Sequence, residues 1–127
     1  MGTRDLDAFR VAGRTLFSLG LVKDSEGNLS VSDGLRLLIT RTGAELADLG
    51  EDDVLEGTLV SPPAEASSDL QVHLIRYREQ GAGAIAHAHP LGATQQGNGG
   101  PGEHGAYAFA ETLGSAVQRI VEDARER

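Results

Sequence analysis

The chain has 127 residues, carries a formal net charge of −8 and contains no cysteine. This length suits one domain over residues 1–127, and the missing thiols exclude disulfide bonds and thiolate metal sites. The acidic balance argues against nucleic acid as a partner, and no apolar run reaches membrane-spanning length, so we expect a cytoplasmic protein with no membrane partner.

The first predicted element is an amphipathic helix over residues 4–19. Its apolar side chains recur at a spacing that places them roughly on one face, and Gly20 suits the end of the helix. The apolar positions are Leu6, Phe9, Leu16 and Leu19.

A hairpin and a third strand are predicted next. The dipeptide Asp-Gly at 33–34 lies between two β-prone runs, which predicts strands near residues 29–32 and 35–40. Residues 44–53 are interpreted as a turn or a short helix, and residues 54–60 as a strand that ends before two consecutive prolines.

The second half of the chain alternates helices and strands. A helix is predicted over residues 66–80 and a strand over 82–90. A glycine-rich loop follows, then a strand at 104–110 and a helix over 112–127. The short links around the hairpin favour an antiparallel or mixed sheet covered by helices. The apolar stripes of the two helices are Leu70, Leu74 and Tyr77, and Leu113, Ala116, Val117, Ile120 and Ala124.

A His-x-His pair stands near the end of the strand over 82–90. Since side chains two apart in a strand share a face, His87 and His89 project together and would ligate one ion, each through a ring nitrogen at ~2.0–2.1 Å. His104 begins the next predicted strand, where hairpin pairing would bring it alongside. Three histidines with an open position form a catalytic zinc arrangement, whereas a pair alone often only faces solvent, and both interpretations stay open. His73, in the middle of a helix, is expected to pack or to support the site.

Four segments, in one order and at close spacing, carry a resemblance to a known family. They are SEGNLSV, LLITRTGAELADL, PPAEASSDLQVHLIRYR and GAIAHAHPLGAT, and together they resemble the class II aldolase/adducin family over residues 4–94. The tail EHGAYAFAETLGSAVQRIVEDA is similar to a later segment of that family, so the chain resembles a member shortened by an internal deletion. The resemblance implies an α/β fold of three layers (α/β/α), with a central, mostly antiparallel sheet flanked by helices.

The resemblance implies a metal held by three histidines, which match His87, His89 and His104 here. Zn²⁺ is the first choice, because three imidazoles with an open position suit it, and another divalent metal is the alternative. In the family this metal holds the hydroxy-ketone part of a sugar phosphate and stabilises the enediolate that forms. The competing interpretation of His104 is a turn residue before a strand.

Asp69 matches the family's acid/base position, where the resemblance implies a glutamate after two serines. The carboxylate is kept on an arm shorter by one carbon–carbon bond, ~1.5 Å, and proton transfer depends on reach. The alternative is that Asp69 only places a negative charge in the first turn of the helix, with Ser67 or Ser68 as the cap.

The resemblance also implies a phosphate site made of small polar residues. Two of them are serines at a helix start, where backbone amides and the helix dipole favour an anion. Gly27 and Gly43 allow backbone amides to approach closely, and Arg41 is one source of local positive charge. The matching positions are Asn28, Thr42, Gly43, Ser67 and Ser68.

These residues favour a metal-dependent aldolase-like lyase that acts on a small phosphorylated sugar or a related hydroxy-carbonyl compound, with epimerisation and dehydration as alternatives within the family. The rival is a non-catalytic binding or assembly module of the adducin-head type. The internal deletion, Asp69 in place of glutamate and the lack of a clear match for a catalytic aromatic residue favour the rival, whereas the retained histidines favour an enzyme. Family members are usually tetramers, so the resemblance implies a homo-oligomer.

Overall fold

The computed structural model describes residues 3–89 and 106–125. The glycine-rich loop, Pro90 and His104 lie outside the described residues. The described elements, in chain order, are α1 (Thr3–Ser18), β1 (Asn28–Ser32), β2 (Arg36–Thr40), two 3₁₀ turns (Leu46–Asp48 and Glu51–Asp53), β3 (Val54–Thr58), α2 (Leu70–Gln80), β4 (Gly83–Ala88), β5 (Ala106–Ala110) and α3 (Leu113–Arg125).

The described strands form one five-stranded sheet in the order β3-β2-β1-β4-β5. Every neighbouring pair is antiparallel. The predicted hairpin joins β1 to β2, where Gly34 has a φ of 103° and one carboxylate oxygen of Asp33 accepts the backbone N–H groups of Leu35 and Arg36. This Asp-Gly turn sets the register of the first two strands.

The sheet separates two apolar layers, because side chains alternate between its faces. On one face α1 and α3 pack against Leu29, Leu38 and the alanines of β4. On the other face α2 packs against Leu37, Ile39 and Ile85. The three-layer α/β/α fold with a central antiparallel sheet is therefore confirmed.

The start of α2 differs from its prediction. The helix begins at Leu70, Asp69 is its N-cap residue, and neither predicted serine is the cap. Ala66 pairs with Arg41 in a β-bridge and the Ser67 N–H donates to the Thr40 carbonyl, which keeps this segment extended beside the end of β2. The helix therefore starts later than the side-chain pattern indicates.

Two further boundaries were predicted too far along the chain. Leu19 follows the last residue of α1 and is 54% exposed, because Gly20, with a φ of 74°, turns the chain away there. Likewise β3 stops at Thr58, and Val60 stands in solvent rather than in the sheet. None of the described helices is long and apolar enough to cross a membrane.

Candidate active site

A cleft of about 250 Å³ opens at the edge of the sheet where β1 begins and β4 ends. The predicted site residues that the structure describes all line this one cleft, while His104 lies outside the described residues. The lining residues are Ser25, Glu26, Gly27, Asn28, Arg41, Thr42, Gly43, Ser67, Ser68, Asp69, His87 and His89.

A larger cavity of about 460 Å³ lies at the opposite end of β1 and β4, next to Ser32 and Gly83. Its lining contains no histidine, and one of its charged groups, Arg36, is bound to Glu56 of β3 in an exposed ion pair. We therefore place the chemistry in the smaller cleft, where imidazole and carboxylate groups meet.

Strand register explains how distant residues meet in the cleft. Asn28 at the start of β1 is paired with His87 near the end of β4, so both side chains lie at the same edge of the sheet. Gly27 precedes Asn28 with a φ of 79°, and a Cβ atom there would lie 2.7 Å from the carbonyl oxygen of His87. Only glycine allows the chain to pass so close to β4 in this conformation.

His87 is buried and held from two sides. Its Nδ1 lies 3.0 Å from the carbonyl oxygen of Ala106, which can only accept, so Nδ1 carries a proton and donates it. The ring of Tyr107, directly opposite on β5, stacks on His87 with centroids 3.9 Å apart. These contacts set the tautomer and direction of the ring, with Nε2 turned towards Asp69.

His89 follows the last residue of β4 and lies beside His87. The two ring centroids are 4.7 Å apart in an edge-on arrangement. The backbone N–H of His89 donates to the carbonyl of Leu21, which anchors this end of the strand. The prediction that both histidines project to one side is confirmed, since both line the cleft.

Asp69 reaches across the cleft to the sheet. Its Oδ2 accepts a hydrogen bond of 2.7 Å from Nδ2 of Asn28 and lies 3.6 Å from Nε2 of His87. The side chain makes no capping hydrogen bond to α2, although Asp69 is the N-cap residue. This direction favours a role in the cleft over the alternative of a simple helix charge.

The spacing of Asp69 and His87 suits a shared cation. Two ligand atoms that bind one tetrahedral ion at ~2.0–2.1 Å lie ~3.4 Å from each other, close to the 3.6 Å between Oδ2 and Nε2. Within residues 3–89 and 106–125, however, no three His, Asp or Glu side chains are placed to hold a metal by themselves. The spacing of these two donor atoms is compatible with one divalent cation, and the described residues supply no complete set of three ligands.

The residues predicted for phosphate also line the cleft. The Thr42 hydroxyl donates to the carbonyl of Ala66, and Ser67 Oγ accepts the backbone N–H of Asp69. Arg41 forms an ion pair of 2.7 Å with Asp53, so part of its positive charge is already compensated. This part of the lining is therefore polar, and its side chains form hydrogen bonds to nearby backbone groups.

Behind the cleft lies a buried series of hydrogen-bonded side chains, whose contacts the sequence did not predict. His73 Nε2 bonds to Oδ1 of Asn28, His73 Nδ1 lies 2.6 Å from Ser30 Oγ, and Ser30 Oγ lies 2.7 Å from the Tyr77 hydroxyl. Burial, reinforced by the nearby His87, lowers the pKa of His73 to about 3, so its ring is neutral near pH 7. The sequence did contain an indication of these contacts. Asn28 and Ser30, two apart on β1, share a face of the strand. His73 and Tyr77, four apart on α2, share a face of the helix.

A family model described as the Class II Aldolase and Adducin N-terminal domain matches residues 8–96, well over half of the chain. The chain belongs to the class II aldolase and adducin family. The matched region contains every cleft residue that we describe.

Relatives within the class II aldolase and adducin family include two kinds of enzyme. The chain is 40% identical over 78 residues to methylthioribulose-1-phosphate dehydratase of Parvibaculum lavamentivorans, covering 59% of this chain and 38% of the relative. It is 35% identical over 86 residues to L-fuculose phosphate aldolase of Methanocaldococcus jannaschii, covering 64% and 46%. Matches thus span less than half the length of these relatives.

A solved structure of this family has the same architecture. The crystal structure of L-fuculose-1-phosphate aldolase from Thermus thermophilus is similar with a TM-score of 0.66 and 42% sequence identity. The similarity covers 75% of this chain and 51% of that one.

Proposed function

We propose that this chain forms the site of a metal-dependent lyase that acts on a small phosphorylated sugar or a related hydroxy-carbonyl compound. The observation that carries the proposal is that His87, His89 and Asp69 line one cleft together with the small polar residues predicted for phosphate. The names of the relatives support it, since they describe a dehydratase and aldolases of phosphorylated sugars.

His87, His89 and His104 would hold the divalent metal, with zinc as the first choice. Asp69, whose Oδ2 lies 3.6 Å from Nε2 of His87, would also touch it. When bound, such a metal supplies Lewis-acid stabilisation of negative charge that develops on substrate oxygens. The Ala106 carbonyl contributes by holding the His87 ring with Nε2 towards the cleft.

Asp69 would move the proton. Its carboxylate is partly exposed in the cleft, accepts a hydrogen bond from Asn28 and lies 3.6 Å from Nε2 of His87, one of the proposed metal ligands. Asp69 is the N-cap residue of α2, and its carboxylate faces Asn28 at the edge of the sheet instead of capping the helix. Proton transfer by a positioned carboxylate contributes roughly 10²–10⁴-fold to the rate.

The phosphate would bind to the small polar residues of the cleft. Ser67 and Ser68 lie at the N-terminal approach to α2, and Thr42 and Gly43 lie beside them across the bridge between Arg41 and Ala66. Asn28, the remaining residue of the predicted phosphate set, donates a hydrogen bond to Asp69. Hydroxyl groups and the start of a helix are suited to an anion.

The test is turnover of phosphorylated sugars by the metal-loaded chain. We expect Asp69→Asn to lower kcat at least ~100-fold, whereas Asp52→Asn, an exposed change outside the cleft, leaves the rate within about twofold. Suitable substrates are 5-methylthioribulose 1-phosphate and L-fuculose 1-phosphate. Identification of the products separates dehydration from aldol cleavage, because relatives that dehydrate and relatives that cleave methylthioribulose 1-phosphate both exist. Metal and sugar phosphate bound without turnover would overturn the proposal in favour of a binding module.

The proposed assembly is a homo-oligomer of single-domain chains. Sedimentation at several protein concentrations tests it. A monomer at every concentration would contradict it.

A further inference from the structure

We propose that His73 is a positioning residue of the cleft: its Nε2–H holds the carboxamide oxygen of Asn28 and thereby directs the amide NH₂ group of Asn28 at Asp69. The inference rests on the proposed role of Asp69 at the metal and in proton transfer, and it extends that role to a residue that does not line the cleft.

The direction of each hydrogen bond follows from Asp69. A carboxylate only accepts, so the Asn28 atom 2.7 Å from Asp69 Oδ2 is the amide nitrogen. The carboxamide oxygen of Asn28 must then face His73, and Nε2 of His73 must carry the proton between them. Turning the carboxamide over would place two oxygens against each other at Asp69.

The hydrogen bonds of Ser30 and Tyr77 keep His73 in this tautomer. With its proton on Nε2, the neutral ring accepts at Nδ1, and the partner there is the Ser30 hydroxyl. Ser30 has then used its only proton, so the bond between Ser30 and Tyr77 is donated by the Tyr77 hydroxyl. Every donor points the same way, from Tyr77 to Asp69.

Burial makes this arrangement firm. Ser30 and His73 are fully buried, and Asn28 and Tyr77 are 3% and 2% exposed. Burial lowers the pKa of His73 and raises the pKa of Tyr77. The His73 ring therefore stays neutral and the Tyr77 hydroxyl keeps its proton, as these hydrogen bonds require. A buried amide held from one side by a donor has one orientation, because reversal would leave buried polar atoms without partners.

The consequence is a fixed carboxylate. Asp69 Oδ2 is held at 3.6 Å from Nε2 of His87 by an amide that cannot turn. If the donor at His73 is removed, the carboxamide of Asn28 loses its anchor and the position of Asp69 relaxes. His73 thus acts on the cleft through Asn28.

The first test is the nitrogen NMR spectrum of the His73 ring in the metal-free full chain, because the chemical shifts separate protonated from unprotonated ring nitrogens. We expect Nε2 protonated and Nδ1 unprotonated between pH 6 and 8. A proton on Nδ1, or on both nitrogens, would overturn the proposal whatever the protein catalyses.

The second test compares two substitutions at the same position by titration with Zn²⁺. His73→Gln keeps a donor near the Nε2 position, and His73→Leu removes it. We expect affinity within about twofold of wild type for the glutamine variant and about tenfold weaker binding for the leucine variant, equivalent to ~1.4 kcal/mol. In an Asn28→Ala background the two variants should bind equally, since the coupling runs through Asn28.

Equal affinity of the two variants in the wild-type background would overturn the positioning role, provided that circular dichroism shows both to be folded. If the wild-type chain does not bind Zn²⁺ at all, the proposed function fails. The ring-nitrogen measurement then still decides the orientation of His73.

Discussion

At the scale of single residues, the site depends on buried polar side chains. His73 and His87 are buried, and each has hydrogen-bond partners that set the position of its protons. A buried polar group without hydrogen-bond partners would lower the free energy of unfolding. The hydrogen bonds that each ring makes avoid most of that loss. Because His73 is buried in its neutral form, the free energy of unfolding depends on pH.

The first residue-scale prediction concerns the free energy of unfolding as pH falls. The folded-state pKa of His73 is about 3 and its ordinary value is 6.5, so between these values the unfolded chain binds a proton that the folded chain does not. The contribution is fully present above pH 6.5 and is lost as pH falls towards 3. We expect wild type to lose ~2 kcal/mol more than His73→Gln between pH 7.5 and 5.0.

Urea unfolding at the two pH values measures this difference. The two proteins differ only at position 73, so the contributions of all other groups largely cancel in the comparison. Equal losses in the two proteins would show that the low pKa of His73 is not a source of acid sensitivity.

At the scale of elements, close packing of helices on their neighbours sets where the layers lie. In α1, Gly13 faces the 3₁₀ turn at Leu46–Asp48, and a Cβ atom there would lie 2.1 Å from the Leu46 carbonyl oxygen. In α3, Gly114 has open space, since a Cβ atom would meet only Thr112 Oγ1 at 3.9 Å. The same substitution therefore has opposite effects in the two helices.

The element-scale prediction is a matched pair of glycine-to-alanine changes. Gly13→Ala should lower the free energy of unfolding by about 1–3 kcal/mol, because the helix must move away from the turn. Gly114→Ala should raise it by roughly 0.5–1 kcal/mol through helix propensity alone. Chemical denaturation measures both values. A stabilised Gly13→Ala protein would mean that α1 does not pack closely on this turn.

At the scale of the whole molecule, the proposed metal joins segments far apart in the chain. Asp69 precedes α2, His87 and His89 lie at the end of β4, and His104 precedes β5. A ligand that binds only the folded chain stabilises it in proportion to the logarithm of its concentration relative to Kd. Metal binding should therefore appear in global unfolding.

The whole-molecule prediction is a rise in melting temperature with Zn²⁺. At 100 times Kd, the ion should stabilise the wild-type chain by ~2.7 kcal/mol, and a chelator should reverse the effect. His87→Ala and His104→Ala should each lose most of the rise. An equal rise in the His104→Ala protein would show that the site is completed by another group.

Much of the architecture was predictable because it depends on local spacing. The Asp-Gly turn, the alternation of alanines with Ile85 and His87 on β4, and the apolar face of α3 are properties of residues close together in the chain. The roles of His87, His89, His104 and Asp69 as ligands and proton carrier stay predictions, as does the phosphate site.

By itself, the sequence determined the order of elements, the side chains of β4 that share a face and the set of donor groups, because these follow from chain geometry and residue chemistry. Only the tertiary structure decided that Asp69 turns from its helix to Asn28, that Tyr107 stacks on His87, and that His73 holds Asn28. The residues joined by these hydrogen bonds are more than forty positions apart. Their contact depends on how α2 packs on the sheet, which no local pattern encodes.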